Sequence, residues 1–199
     1  MSFDYDAVII GGAFSGAATA LMIKRQQPAA RLLIIEKTAE FDRKVGESTT
    51  EVSSCYMTRI LGLTNYLGHH HLAKQGLRLW FSNRPDQQFD DCVEIGAHYQ
   101  TRLPTFQVDR SRLDQHMLEN ACDAGCALLR PAKVMRFELN GSSGQSVTVQ
   151  AEGGERTRFD FGAETRPLPA EHRTSDQCGV GAIHGREGLG QLRLAPALP

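Results

Sequence analysis

The sequence lacks the features that mark a membrane-spanning, secreted or nucleic-acid-binding protein. No apolar run approaches the ~20 residues that a membrane span needs. Acidic and basic residues nearly balance, with a formal net charge of -1, so nothing electrostatic favours nucleic acid or an anionic membrane as a partner. The first apolar segment begins near residue 6, so we expect no cleavable signal peptide.

Cysteine is scarce and irregularly spaced. The five cysteines are odd in number and form no CxxC pair, which predicts reduced thiols in a cytoplasmic protein. The consecutive histidines His69–His71 do not share one face of a helix, so they indicate a solvated helix end rather than a metal site. We therefore predict no metal site.

The start of the chain carries the pattern around which the rest is organised. An apolar, β-branched run over 6–10 predicts a buried strand, and a helix is expected from Ser15 to Gln26 or Gln27, closed by Pro28. Arg31–Glu36 predicts a second buried strand that ends on an acid. This order of strand, glycine turn, helix and acid-terminated strand is typical of a dinucleotide-binding βαβ unit.

In such a unit the glycine turn lets the backbone approach a pyrophosphate, and the amino end of the helix stabilises its charge. Glu36 is placed to accept hydrogen bonds from ribose hydroxyls. The middle glycine of the GxGxxG pattern is Ala13 here, and its methyl group narrows the approach. The alternative is a nucleotide-free unit whose glycines serve only tight helix–strand packing. The candidate pyrophosphate-binding residues are Gly11, Gly12, Ala13, Phe14, Ser15 and Gly16.

Further along, helical and alternating patterns predict a mixed fold. A helix is expected from Ser48 or Thr49, with Ser48 and Glu51 forming a capping box. The segment 162–199 is rich in Pro and Gly without a period and predicts a largely unstructured tail. The other expected elements are helices over 64–73 and from Asp109 or Ser111 to Gly125, and strands over 76–82, 92–99, 106–108, 126–129, 133–139, 147–150 and 156–161, the last three forming a meander.

Four segments together resemble the FAD-dependent oxidoreductases of the para-hydroxybenzoate-hydroxylase type, within them the tryptophan-halogenase-like and geranylgeranyl-reductase-like branch. They are the Gly11–Gly16 turn, Glu36-Lys37, the string Lys44-Val-Gly-Glu-Ser-Thr49, and Phe106-Gln-Val-Asp-Arg-Ser-Arg-Leu-Asp114. The resemblance implies an α/β fold: a partial, Rossmann-like FAD-binding domain over 1–161 with a β-meander. A substrate-side insertion would occupy about 62–105, and 162–199 would form a disordered, irregular tail.

The resemblance also implies roles for single residues. The turn and Glu36 would bind the pyrophosphate and the adenosine ribose of FAD, and Lys74 would stand where a halogenase lysine engages hypohalite. In the open alternatives, Glu47 is only an exposed acid, Arg110 pairs with Asp109 or Asp114, and Lys74 is solvated. The further cofactor-binding candidates are Lys37, Lys44, Gly46, Glu47 and Ser48 near the flavin side, Arg110 at the pyrophosphate or ribityl chain, and Val134 at adenine.

The family pattern stops near Arg158. The Asp-Ala-x-Gly and Gly-Asp-Ala-Ala segments and the Trp-x-Trp-x-Ile signature are missing, as a shifted reading frame or a shortened gene would produce. We therefore expect the isoalloxazine side of the site to be largely missing, apolar strands to be exposed, and flavin retention to be weak.

The function expected from the resemblance is that of an FAD-dependent monooxygenase or halogenase-like enzyme, or of a polyprenyl reductase. It would act on a small organic substrate with electrons from NADH, NADPH or a flavin reductase. The alternative is a non-catalytic nucleotide-binding remnant or interaction module. A nicotinamide-dependent dehydrogenase is disfavoured by the string at 46–49.

Overall fold

The computed structural model describes residues 3–96, 103–139 and 144–162. Within these ranges helices and strands alternate at the start, and antiparallel strands follow in the second half. The helices are α1 (Phe14–Gln26), α2 (Glu51–Cys55), α3 (Thr64–His70) and α4 (Arg110–Asp123). The strands are β1 (Ala7–Ile10), β2 (Leu32–Ile35), β3 (Leu72–Lys74), β4 (Arg78–Phe81), β5 (Val93–Gly96), β6 (Thr105–Gln107), β7 (Ala127–Leu129), β8 (Ala132–Leu139), β9 (Gln145–Ala151) and β10 (Arg156–Phe161).

The predicted βαβ unit is present. β1 and β2 are adjacent and parallel, with Ala7 opposite Leu32, and β7 pairs in parallel with β2 to give the order β1-β2-β7. β8, β9 and β10 form the predicted antiparallel meander. The carboxyl ends of β1, β2 and β7 therefore lie at one edge of the sheet, where ligands bind in open α/β sheets. The predicted α/β fold class is confirmed.

β2 is buried on both faces because different elements cover each side of the sheet. Leu32 and Ile34 pack into a core with α1 and α4, whereas Leu33 and Ile35 pack against β9 of the meander. All four side chains are at most 2% exposed. This double cover explains why β2 is a continuous apolar run rather than an alternating one.

The glycine turn brings α1 against the end of β1. A Cβ atom on Gly16 would lie 1.8 Å from the carbonyl oxygen of Gly11, far inside any real contact. Glycine is therefore required at position 16 by the close approach of helix and turn. Tight packing thus accounts for Gly16 in the alternative of a nucleotide-free unit, but this packing requirement does not exclude ligand binding at the same turn.

Several boundaries differ from the sequence expectations. The capping box of α2 is formed by Thr50 and Ser53, not by Ser48 and Glu51, because Ser48 instead bridges to Gln107 in β6. α2 continues into a π-helical turn over 56–60. α3 ends at His70, and the following residues form β3, which the sequence did not predict. Of the predicted strand over 92–99, residues 97–99 lie outside the described ranges, as does the predicted tail beyond 162.

The hairpin of β4 and β5 exposes apolar side chains, as expected. Leu79 lies opposite Ile95, and Phe81 lies opposite Val93. All four side chains are between 47% and 58% exposed. Directly opposed side chains share a face of the hairpin, so this face is an apolar surface that the described residues leave about half exposed.

Gly16→Ala tests the close approach of α1 to the turn. We expect a loss of about 1–3 kcal/mol in the free energy of unfolding, the usual cost of overpacking, measured by chemical denaturation. Gly68→Ala is the matched control, since a Cβ at Gly68 in α3 meets nothing within 4 Å. It should stabilise by about 0.5–1 kcal/mol through helix propensity. Equal effects of the two substitutions would contradict the packing described here.

Candidate functional site

The side chain of Glu36 lies beside the glycine turn. Its Oε2 accepts a hydrogen bond from the Gly12 N–H at 2.7 Å, and its Oε1 accepts from the Thr38 N–H at 2.9 Å and the Thr38 hydroxyl at 2.8 Å. The residue is 5% exposed. The structure thus brings together the two parts of the βαβ pattern, the turn after β1 and the acid after β2.

The Glu36 carboxylate remains ionised because its bonds outweigh its burial. Burial raises the pKa of Glu36, but the hydrogen bonds from Thr38 and Gly12 and the positive charge of Arg130 lower it, and the net pKa lies below the ordinary 4.5. A lowered pKa means that ionised Glu36 stabilises the fold above about pH 4.5, and that this stability is lost as the pH falls through the folded-state pKa.

The amino end of α1 carries backbone N–H groups that have no acceptor within the helix. Ala13, the N-cap residue, makes no side-chain cap bond, and the Phe14 N–H donates to Asp114 Oδ1 at 3.2 Å. The N–H groups of Ser15 and Gly16 fall in the first helical turn, where no intrahelical acceptor is available. These two groups are therefore the donors that the turn offers to an anion.

Asp114 connects three segments of the site through one fully buried carboxylate. Besides the Phe14 N–H, it accepts from the Arg110 guanidinium at 3.1 and 3.2 Å and forms an ion pair with Lys44 Nζ at 2.9 Å. The expected pairing of Arg110 with Asp114 is thus present, and the contact with Lys44 adds a link that the sequence did not predict.

The loop that carries the Lys44–Thr49 string wraps around Arg110. Arg110 Nη1 donates to the Val45 carbonyl at 3.3 Å, and the Arg110 N–H donates to Glu47 Oε1 at 3.3 Å. Gly46 has a φ of +99°, and a Cβ there would lie 3.1 Å from Arg110 Nη1. Arg110 and Glu47 therefore hold the loop on the start of α4 in this structure.

Lys74 reaches the same loop from β3. Its Nζ donates to the Ser48 hydroxyl at 2.6 Å and to the Thr49 carbonyl at 2.7 Å. The ammonium group of Lys74 is therefore bonded within the protein at a partly exposed position, and both its proposed role and the solvated alternative stay open. The side chain links the candidate substrate side to the loop that the sequence assigned to the flavin side.

Two predicted cofactor residues lie apart from these contacts. Val134 pairs with Val149 and packs in the core between the sheet and the meander. Lys37 is exposed directly after Glu36. The start of β8 is nevertheless close to the acid, because the Ala132 N–H donates to the Glu36 carbonyl at 2.8 Å.

The expectation for the histidine triplet requires a correction. His71 is 9% exposed rather than solvated. Its Nδ1 accepts from the Asp109 N–H at 3.2 Å, at the N-cap of α4. Burial lowers the pKa of His71, which agrees with a neutral imidazole in that role. His71 turns inward because the chain enters β3 where a longer helix was expected.

Four contributors to the site were not identified from the sequence: Thr38, Asp114 as a link between segments, Arg130, and Phe41, whose ring lies against Arg130 and Lys44. Phe41 is the one aromatic residue of the loop over 37–46, which was the available signal. Arg130 gave no signal, since its position at the end of β7 matters only once the sheet is assembled.

The described ranges contain no group of three or more His, Cys, Asp or Glu residues that could hold a metal ion. Across those same ranges, no helix is both long and apolar enough to cross a membrane.

Comparison with known proteins gives a consistent set of relatives. The chain is 30% identical over 168 residues to the flavin-dependent halogenase chlA of Dictyostelium discoideum, covering 79% of this chain and 28% of that protein. It is 25% identical over 155 residues to the FAD-dependent oxidoreductase LodB of Marinomonas mediterranea, which carries a provisional name, covering 77% and 40%. The chain thus spans less than half the length of these relatives.

Solved structures share the fold. The myxobacterial chondrochloren halogenase CndH, described as a variant of FAD-dependent halogenases, superposes with a TM-score of 0.65 at 21% identity, covering 79% of this chain and 35% of that one. The flavin-dependent brominase Bmp2 gives 0.62 at 23% identity, covering 79% and 36%.

No protein-family model matches the chain. The relatives and the fold nevertheless agree with the four sequence segments. The resemblance of this chain to the FAD-dependent halogenases and oxidoreductases is therefore confirmed, over a part of their length.

Proposed function

We propose that this chain binds the adenosine diphosphate end of FAD as part of a halogenase-like FAD-dependent oxidoreductase. The observation that carries the proposal is the 2.7 Å contact between Glu36 Oε2 and the Gly12 N–H, at the ends of two adjacent parallel strands. A ribose acceptor and a diphosphate-binding turn must be this close to hold one nucleotide. The described functions of chlA and LodB support FAD as that nucleotide.

The residues of the turn fit a diphosphate. Gly16 presents no side chain, and the N–H groups of Ser15 and Gly16 and the amino end of α1 favour a negative charge. Together they form the diphosphate cradle that we assign to Gly11, Gly12, Ala13, Phe14, Ser15 and Gly16.

Glu36 fits a ribose with one constraint. A carboxylate offers about four acceptor positions, and the bonds from Gly12 and Thr38 occupy three of them. One ribose hydroxyl can therefore bind directly, and a second one would replace the bond from the Thr38 hydroxyl. Thr38 thus competes with the ligand for the acid.

The loop at 44–48 would lie toward the flavin. Arg110 and Glu47 hold this loop, so we assign Gly46, Glu47 and Ser48 to the flavin side, and Lys44 supplies a positive charge near the diphosphate. We keep Arg110, Lys37 and Val134 as further cofactor contacts. Bound FAD would supply the oxygen and electron-transfer chemistry, while the chain orients it and excludes water.

Lys74 is our candidate for a residue that acts on the substrate. The Ser48 hydroxyl and the Thr49 carbonyl fix its ammonium group beside the proposed flavin side.

We propose a small organic molecule as substrate and NAD(P)H or a flavin reductase as the electron source. The cysteines that the structure describes form no disulfide, in keeping with our proposal of a cytoplasmic location.

We further propose that residues 1–161 form a partial FAD-binding domain and that about 62–105 belong to its substrate side. The half-exposed apolar face of the β4–β5 hairpin supports this division, because it lies within the proposed insertion. The remaining flavin contacts would come from segments equivalent to the rest of the longer relatives.

Titration with FAD and ADP tests the proposed function. We expect both ligands to bind, with FAD tighter by about tenfold, or about 1.4 kcal/mol, because the loop at 44–48 adds contacts on the flavin side. Isothermal calorimetry of the purified chain measures both constants. Equal affinities would favour the alternative of a nucleotide-binding remnant. Binding of neither would reject the proposal. We also expect the purified protein to show less than stoichiometric flavin absorbance.

Glu36→Gln tests the ribose acceptor. Both carboxylate oxygens accept from backbone N–H groups, so either orientation of an amide places one N–H against another. We expect ADP affinity to fall about tenfold or more, since bonds to a charged acceptor are worth about 1.5–3 kcal/mol. Glu40→Gln is the control, because it removes the same charge from an exposed position in the same loop. Similar losses in both variants would argue against a specific role for Glu36.

A further inference from the structure

Two cations lie over the ring of Phe41, in the loop between Glu36 and Gly46. The guanidinium carbon of Arg130 is 4.2 Å from the ring centroid, and Lys44 Nζ is 5.1 Å from it. Both distances are within the ~6 Å range of a cation–π contact. Phe41 is partly buried and packs against the core formed with α1 and α4. A single aromatic side chain therefore contacts both cations and the core.

The two cations continue to different parts of the proposed site. Arg130 Nε donates to the Thr38 carbonyl at 2.7 Å, and Arg130 Nη1 donates to Gln115 Oε1 on α4 at 2.8 Å. Thr38 in turn donates two bonds to Glu36. The contact of the ring with Arg130 is thus connected, through Thr38, to Glu36, the proposed ribose acceptor.

The other cation leads to the diphosphate cradle. Lys44 Nζ forms an ion pair with Asp114 at 2.9 Å, and Asp114 accepts from the Phe14 N–H at the start of α1. The residues that support the two ends of the proposed nucleotide site are therefore joined through the Phe41 ring.

We propose that Phe41 is a positioning residue that orders the loop over 37–46 through its two cation–π contacts and so sets the affinity of the site for the adenosine diphosphate group. For its ligand the inference rests on the proposed function. The aromatic face is the required property: leucine would keep apolar packing against the core but has no quadrupole to attract a cation, whereas tyrosine keeps both.

The test compares Phe41→Leu with Phe41→Tyr by two measurements. The first is the rate of trypsin cleavage after Arg43 in the unliganded protein, followed by mass spectrometry, since the Arg43 side chain is 79% exposed and lies inside the loop. The second is ADP affinity by calorimetry. Chemical denaturation shows whether each variant is folded.

We expect Phe41→Leu to be cleaved about tenfold faster than the unsubstituted protein and to bind ADP about tenfold more weakly, the scale expected from losing two partly buried cation–π contacts. Phe41→Tyr should keep both values within about twofold. Because leucine is also smaller than phenylalanine, the free energies of unfolding of the two variants show how much of their difference comes from lost packing.

Three outcomes would overturn the inference: cleavage of Phe41→Leu at the unsubstituted rate, equal defects in both variants, or faster cleavage without weaker ADP binding. If the unsubstituted protein binds neither ADP nor FAD, the proposed function fails. The cleavage rates alone then test whether Phe41 orders the loop over 37–46. An unchanged rate in Phe41→Leu would reject that role.

Discussion

The candidate site depends on the carboxylate of Asp114, which is removed from water and satisfied from three directions. A buried charge is costly unless it is paired and hydrogen-bonded. Here Arg110 comes from the same helix, Lys44 from the loop, and the Phe14 N–H from the start of α1. Loss of any one of these partners would leave the buried carboxylate short of hydrogen bonds. The carboxylate therefore favours the one arrangement in which the glycine turn, the loop and α4 all contact it.

The parts of the described structure differ in how deeply their apolar side chains are buried. Around β2 both faces of the sheet are covered, whereas the β4–β5 hairpin leaves Leu79, Phe81, Val93 and Ile95 exposed. A large exposed apolar face marks a surface that normally meets more protein. The segments that we assign to the nucleotide are thus packed, whereas the hairpin within the proposed substrate side exposes apolar surface.

Elements with a strong local period were predictable. β1, α1, β2 and the start of α4 at Asp109 follow from apolar spacing and capping residues, since these depend on neighbours within a few positions. The failures have the opposite origin. Ser48 pairs with Gln107 instead of forming the expected capping box, and His71 is buried at the N-cap of α4 instead of being solvated. Both contacts depend on the pairing of β3 with β6, whose residues are more than thirty positions apart in the sequence.

The sequence alone therefore determined the βαβ unit, the glycine turn and the position of Glu36 after the second strand, because strand and helix periods and tight turns are local properties. Only the tertiary structure decided that Glu36 bonds to Gly12, that Lys74 bonds to Ser48, and that Arg130 lies over Phe41. These contacts join residues that are 24, 26 and 89 positions apart. Such contacts exist only after the sheet and helices have packed, so no local pattern specifies them.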